Sequence, residues 1–302
     1  MSLSSLLEQS DVTERFRQEF KKPRLSAERE LLAPSQSQRY SLVGMAFDYL
    51  LRFYLQRLNP DALHRPWIAE AGLRKLSIPT EATYDIDTGE LGLPDDERFD
   101  KANKFFNKAR EALERYIASG RMTDQLLKST IQLAQLDVIF RSGFVDENLG
   151  VAYPEDVQDL RNLISLVRPK EFRAKKICLL NPTFGKASSL VGGADADLFI
   201  DGMLIDIKTT KNYKLDRKHF DQLIGYSVLH KLSGFDGAMP KPQLSRVAIY
   251  FARHAHLEVL DLSEFINPKT FPSFIKWFTE RARQDANRIT RRPTGRAKAT
   301  RR

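Results

Sequence analysis

The sequence predicts an α/β fold, with a sheet built mainly from its second half and a large helical insertion ahead of it. Three observations carry this. From about residue 174, short β-like runs and helical patterns follow in the order β-β-β-α-β-β-α. Between residues 99 and 167, three long patterns of helical period succeed one another without a strand signal. The chain has 302 residues, 42% hydrophobic and 29% charged, which suits a soluble globular protein with a substantial core.

The elements are justified in chain order. Residues 1–40 read as an N-terminal polar segment with one short helix around Val12–Lys21, stopped by Pro23. Ser41–Leu58 is a stronger helix: Leu42, Met45, Ala46, Tyr49, Leu50, Phe53 and Leu58 fall near helical spacing, and Asn59-Pro60 ends it. Residues 60–98 are less regular, with turn signals at Pro60, Pro66, Pro79, Thr88-Gly89 and Pro94-Asp95-Asp96. Helices are then predicted at Phe99–Ser119 before Gly120, Thr123–Arg141 before Gly143, and Pro154–Val167, with Pro154 suited to a first turn. Lys176–Leu180 is a short strand before Asn181-Pro182, and a hairpin occupies about Ala194–Thr209. Asp216–Leu232 reads as an amphipathic helix with Phe220, Leu223, Ile224, Ser227 and Val228 as its inner stripe. Strands at Arg246–Phe251 and Leu257–Leu260 and a helix at Phe271–Ile289 complete the chain. This makes residues 41–280 one domain, with the insertion at about 95–172.

Charge is unevenly placed. The formal net charge is +9, yet residues 281–302 hold nine Lys or Arg residues against Asp285 alone. They read as a basic, disordered tail able to add nonspecific phosphate contacts. The single cysteine, Cys178, excludes an internal disulfide and an iron–sulfur cluster held by one chain. No apolar run approaches the ~18–20 residues that span a bilayer. The N-terminus lacks a basic region before its apolar residues, so the expectation is a cytoplasmic protein without a membrane partner.

The stretch from Gly192 to Lys208 concentrates the chemistry. Asp201-Gly202 suits a type I′ turn, in which both central residues take positive φ. Counting outward pairs Ile200 with Met203, Leu198 with Ile205 and Ala196 with Ile207 on a wholly apolar face. The other face pairs Phe199 with Leu204, Asp197 with Asp206, and Asp195 with Lys208. Like charges opposed on a sheet cost up to ~1 kcal/mol, a cost that a cation relieves. A solvated face with an Asp–Lys pair is the plainer alternative. The tripeptide Asp206-Ile-Lys208 has little weight alone, since Glu19-Phe-Lys21 and Asp216-Arg-Lys218 share its pattern in helices. The hairpin context makes the difference.

In that context the chain resembles the PD-(D/E)xK nuclease superfamily, in its RecB-like and CRISPR-associated exonuclease branch. Gly192-Gly-Ala-Asp195 matches a Gly-x-x-Asp motif, Asp197-Leu the acid-then-aliphatic version, and Asp206-Ile-Lys208 the (Asp/Glu)-x-Lys half. Gln222-Leu-Ile-Gly-Tyr226 matches the branch's Gln-x-x-x-Tyr helix motif. Gly44-Met-Ala-Phe-Asp48 is similar to its Gly-x-x-x-His motif, with Asp in place of His. The match covers about residues 175–232, and Ser41–Leu58 more loosely. It implies a restriction-endonuclease-like mixed sheet flanked by helices. It also implies Mg²⁺- or Mn²⁺-assisted hydrolysis of phosphodiester bonds, in DNA before RNA.

Hard oxygen donors suit those cations. Asp197 and Asp206 are the first choice as metal ligands, Asp195 an alternative or second ligand, and Asp48 a further one. The resemblance adds the backbone carbonyl of Ile207. Lys208 would orient the attacking water or neutralise charge on the phosphate. Gln222 and Tyr226 either contact DNA or position water, or simply meet each other one helical turn apart.

Other chemistries find little support. The five histidines show no zinc-protease spacing, and there is no phosphate-binding Gly-x-x-x-x-Gly-Lys loop. Two rival expectations stand beside the nuclease. One is a nucleic-acid-binding module with weak or no catalysis. The other is a protein-interaction subunit of a repair or defence complex, docking through the helical region.

Overall fold

Six short strands pair in chain order into one open mixed sheet, with helices on both faces, in the computed structural model, which describes residues 2–25, 28–77 and 96–290. The strands are β1 (Leu63–His64), β2 (Cys178–Leu180), β3 (Leu198–Ile200), β4 (Met203–Lys208), β5 (Arg246–Phe251) and β6 (His256–Asp261). The β1–β2 and β4–β5 pairs are parallel and the other three antiparallel. Parallel neighbours need a crossover. Between β4 and β5 it contains α10 (Arg217–Ser233), and between β1 and β2 it contains, among the described residues, a run of five helices.

These five are α4 (Ile68–Leu76), α5 (Asp96–Ser119), α6 (Asp124–Ser142), α7 (Pro154–Ser165) and α8 (Pro169–Phe172). With α3 (Tyr40–Leu58) they share one apolar core with Leu198, Ile200, Met203, Ile205, Ala248 and Tyr250 of the sheet. The helical section is therefore a full layer of the molecule. The opposite face, with Phe199, Leu204, Val247 and Ile249, packs on a second core. That core draws on α1 (Leu3–Leu7), α2 (Ser10–Glu19), α9 (Lys186–Leu190), α10 and α11 (Phe271–Thr290). Side-chain alternation along β3 and β4 feeds both cores from one hairpin.

The hairpin closes as counted. Asp201 and Gly202 have φ of 44° and 86°, and the ladder pairs Leu198 with Ile205, Phe199 with Leu204 and Ile200 with Met203. The Asp201 carboxylate accepts the N–H groups of Lys175, Lys176 and Ile177 at 2.6, 2.9 and 3.0 Å. Burial acts to raise its pKa, but these bonds outweigh it and hold the pKa below the usual value.

Four expectations need correction. The N-terminal segment is not merely polar: Leu3, Leu6, Leu7, Val12, Phe16 and Phe20 are buried in the second core. Helix α10 is not amphipathic in place. From Phe220 to His230 only Gln222 escapes burial, because α1 covers its outer side, with Leu3 against Gly225. Residues 60–77 hold the regular helix α4. The first ten residues of the basic tail belong to α11, where Ala282 is buried and Arg281 Nε donates to Asp11 Oδ2 at 2.6 Å. The tail beyond residue 290 and the turn signals at Pro79, Thr88-Gly89 and Pro94-Asp95 lie outside the described residues. Among the described residues, no helix is long and apolar enough to cross a membrane.

Candidate active site

Strand β4 delivers Asp206 and Lys208 to its C-terminal end. Two residues apart on a strand, they share a face, and the Lys208 ammonium meets the Asp206 carboxylate at 2.7 Å. A cavity of about 340 Å³ opens there. Its lining includes Asp195, Asp197, Asp206, Ile207 and Lys208, with Asp48 from α3 and Gln222 and Tyr226 from α10. Every residue singled out in the sequence for catalysis or metal binding thus borders one space.

The pairing inside that space differs from the hairpin count. The β3–β4 ladder ends at Leu198 and Ile205. Beyond it the chain turns towards the segment after β2: Asn181 N–H donates to Asp197 O at 2.8 Å, Ala196 N–H to Pro182 O, and Asp195 bridges Thr183. Ala196 consequently packs in the second core, not beside Ile207. Asp197 and Asp206 are not ladder partners. The Asp197 carboxylate instead accepts the Ile207 N–H at 2.6 Å, replacing the strand bond lost there. Asp195 does not meet Lys208; its nearest cation is Arg141, at 3.8 Å.

The electrostatics follow from crowding acids in a half-closed space. Burial, then Asp206, then Asp48 push the Asp197 pKa well above the usual carboxylate range. Asp48 is raised too, mainly by burial, although Arg52 at 2.5 Å opposes this. Burial works against the Lys208 ammonium, but Asp206 and Asp197 outweigh it and its pKa is raised. Tyr226 is buried, stacks on Phe184 with ring centroids 5.4 Å apart, and accepts from Gln222 Nε2 at 2.8 Å. Burial, then Asp206, Asp197 and Asp195, raise its pKa, so it keeps its proton. Cys178 is no nucleophile: burial, then Asp201, pushes its thiol up to about 12.

The donor set fits a hard divalent cation. It is all carboxylate oxygen, and Asp48 Oδ1 is buried without a hydrogen-bond partner. Against this, among the described residues no group of three or more His, Cys, Asp or Glu side chains is gathered tightly enough to hold an ion as it stands. Asp206 and Asp197 are engaged by Lys208 and the Ile207 N–H.

Sequence reasoning missed several contributors. Asp137 and Arg141, joined at 2.5 Å on α6, line the cavity, and Tyr49 OH donates to Asp137 at 3.2 Å. The signal was a lone acid among Leu133, Leu136 and Ile139 on an apolar helix, followed four residues later by Arg. Ser2 and Ser4 bring α1 to the rim. Arg253 acts at one remove: it pairs with Asp159 at 2.7 Å while donating to Thr209 O, the residue after Lys208. Gly44 shapes the same spot, since a Cβ there would stand 2.9 Å from Thr209 Oγ1. The fold and the site together define an α/β protein with an acidic cavity at the end of a central strand. Comparison with protein-family models, with curated proteins and with solved structures finds no match to this chain.

Proposed function

We propose that this chain is a metal-dependent nuclease of the PD-(D/E)xK type, with a restriction-endonuclease-like core, hydrolysing phosphodiester bonds in DNA. One observation carries the reading. Asp195, Asp197, Asp206 and Lys208 share a cavity with Gln222 and Tyr226 of α10, and with Asp48 of α3, which is far away in sequence. Asp197 and Asp206 would hold Mg²⁺ or Mn²⁺, with Asp195 and Asp48 as further oxygen donors and the Ile207 carbonyl as a backbone donor. When bound, such an ion acidifies a water and stabilises charge on the phosphate. Lys208 keeps its proton and offers a cation to the phosphate or the attacking water. Tyr226 accepts from Gln222, which leaves its own proton free to donate into the cavity.

A specific observation favours a second reading, a nucleic-acid-binding subunit without strong catalysis: Lys208 and the Ile207 N–H already occupy the principal acids. One experiment separates the two. Linear, circular and single-stranded DNA, and RNA, are incubated with the protein and Mg²⁺ or Mn²⁺. The nuclease reading expects cleavage that falls by about 10²-fold or more in Asp206→Ala and in Lys208→Ala. Cleavage that survives both substitutions unchanged removes this site from consideration. Binding without cleavage of any substrate favours the subunit.

A further inference from the structure

Two aromatic rings stand in water beside the acidic cavity. Tyr40, the first residue of α3, and Phe144, just past the end of α6, are each 63% exposed. With Leu42, Met45 and Val138 they line a groove of about 340 Å³. Met45 borders both this groove and the acidic cavity, so the two are neighbours. Helices α3 and α6 contribute to both: Tyr40 stands eight residues before Asp48, a rise of about 12 Å along α3, and Val138 adjoins Asp137 on α6. A few nucleotides cover that distance.

The chemistry of the groove selects its occupant. It offers ring faces, not a phosphate cradle. Arg39 is ion-paired with Asp156 and lies over the Tyr153 ring at 4.5 Å, and Asp146 adds a negative charge. A duplex keeps its base faces stacked on one another, whereas unpaired nucleotides present theirs to exposed aromatic side chains. We propose that the groove binds unpaired nucleotides of a single-stranded nucleic acid by stacking bases on Tyr40 and Phe144, the strand continuing into the acidic cavity. What happens to the strand in the cavity rests on the nuclease reading; the stacking does not.

The test measures binding by the full chain in EDTA, where no cleavage competes. The probes are a short fluorescein-labelled DNA strand, its duplex, the RNA equivalent and an abasic strand of equal length. The single strand binds more tightly than the duplex, and Tyr40→Ala and Phe144→Ala each weaken it about ten-fold. Phe144→Trp keeps the affinity and Phe144→Leu does not, while the abasic strand binds all variants alike. Equal binding of strand and duplex, or ring removal without effect, overturns the groove. Ring-dependent binding by a protein that cleaves nothing leaves the groove standing and the nuclease reading fallen. Cleavage that needs Asp206 and Lys208 but ignores both rings gives the reverse.

Discussion

Asp197 is held where a charge is unwelcome, and that sets the sign of a pH effect. Its pKa in the folded protein lies well above the usual carboxylate value, through burial first, then Asp206 and Asp48. The folded state therefore holds this proton more tightly than the unfolded chain does. Its contribution to stability is complete below pH ~3.8 and is lost as pH rises through the folded value. Asp197→Asn removes the penalty while keeping an oxygen to accept the Ile207 N–H. Without divalent metal the variant is expected to match the wild type near pH 4 and to exceed it in stability at pH 8. Urea unfolding in EDTA at both pH values reads the difference. Adding Mg²⁺ should reverse the order at pH 8, because an ion stabilises the ionised wild-type site and not the amide. A variant less stable than wild type at pH 8 in EDTA would show that Asp197 is not strained by its neighbours.

Helix α4 approaches α6 so closely that only glycine fits between them. A Cβ on Gly72 would stand 1.9 Å from Leu136 O, and backbone cannot yield as a side chain can. Gly72→Ala is expected to cost about 3 kcal/mol in urea unfolding. It should also perturb the cavity, since Asp137 and Arg141 follow Leu136 on α6. A loss under about 0.5 kcal/mol would mean the helices do not meet there. Helix α4 was passed over in the sequence because it is only nine residues long and has Gly72 at its centre, although its buried residues Ala69, Gly72 and Leu73 follow helical spacing. What could be read was local. Thr123 caps α6 through the Leu126 N–H, Gly143 ends it at φ 75°, and Asp201-Gly202 turns the hairpin. The site residues were legible for the same reason, since most lie in that hairpin and the next helix. Asp137, Arg141 and the departure of Ala196 from the ladder were not, because each depends on distant chain: α6 in the opposite layer, and Pro182 beside the hairpin. Helices of five residues, such as α1 and α9, are too short to show a period.

At the scale of the whole molecule, both ends of the described chain are part of the second core. Helices α1 and α2 cover α10 and α11, and Arg281 of α11 is bound to Asp11 of α2. Any test of the basic terminus must respect this. A truncation at residue 281 would remove buried Ala282 and the Arg281–Asp11 pair along with the charge, so a loss of binding could reflect lost packing. Residues 291–302 carry six of the basic residues and no acid, and removing them alone lowers the formal net charge from +9 to +3. Cations of this kind act on nucleic acid by releasing condensed counterions, which makes affinity fall with salt in proportion to the phosphates met. If all six engage a duplex, deleting them flattens the slope of log affinity against log salt by about 5. Tight binding at low salt should weaken most, and the melting temperature should hold. Fluorescence anisotropy across a salt series, on the full chain and on the chain ending at Thr290, measures this directly. An unchanged slope would assign the salt dependence to cations on the folded body, and the terminus would then have no part in holding nucleic acid.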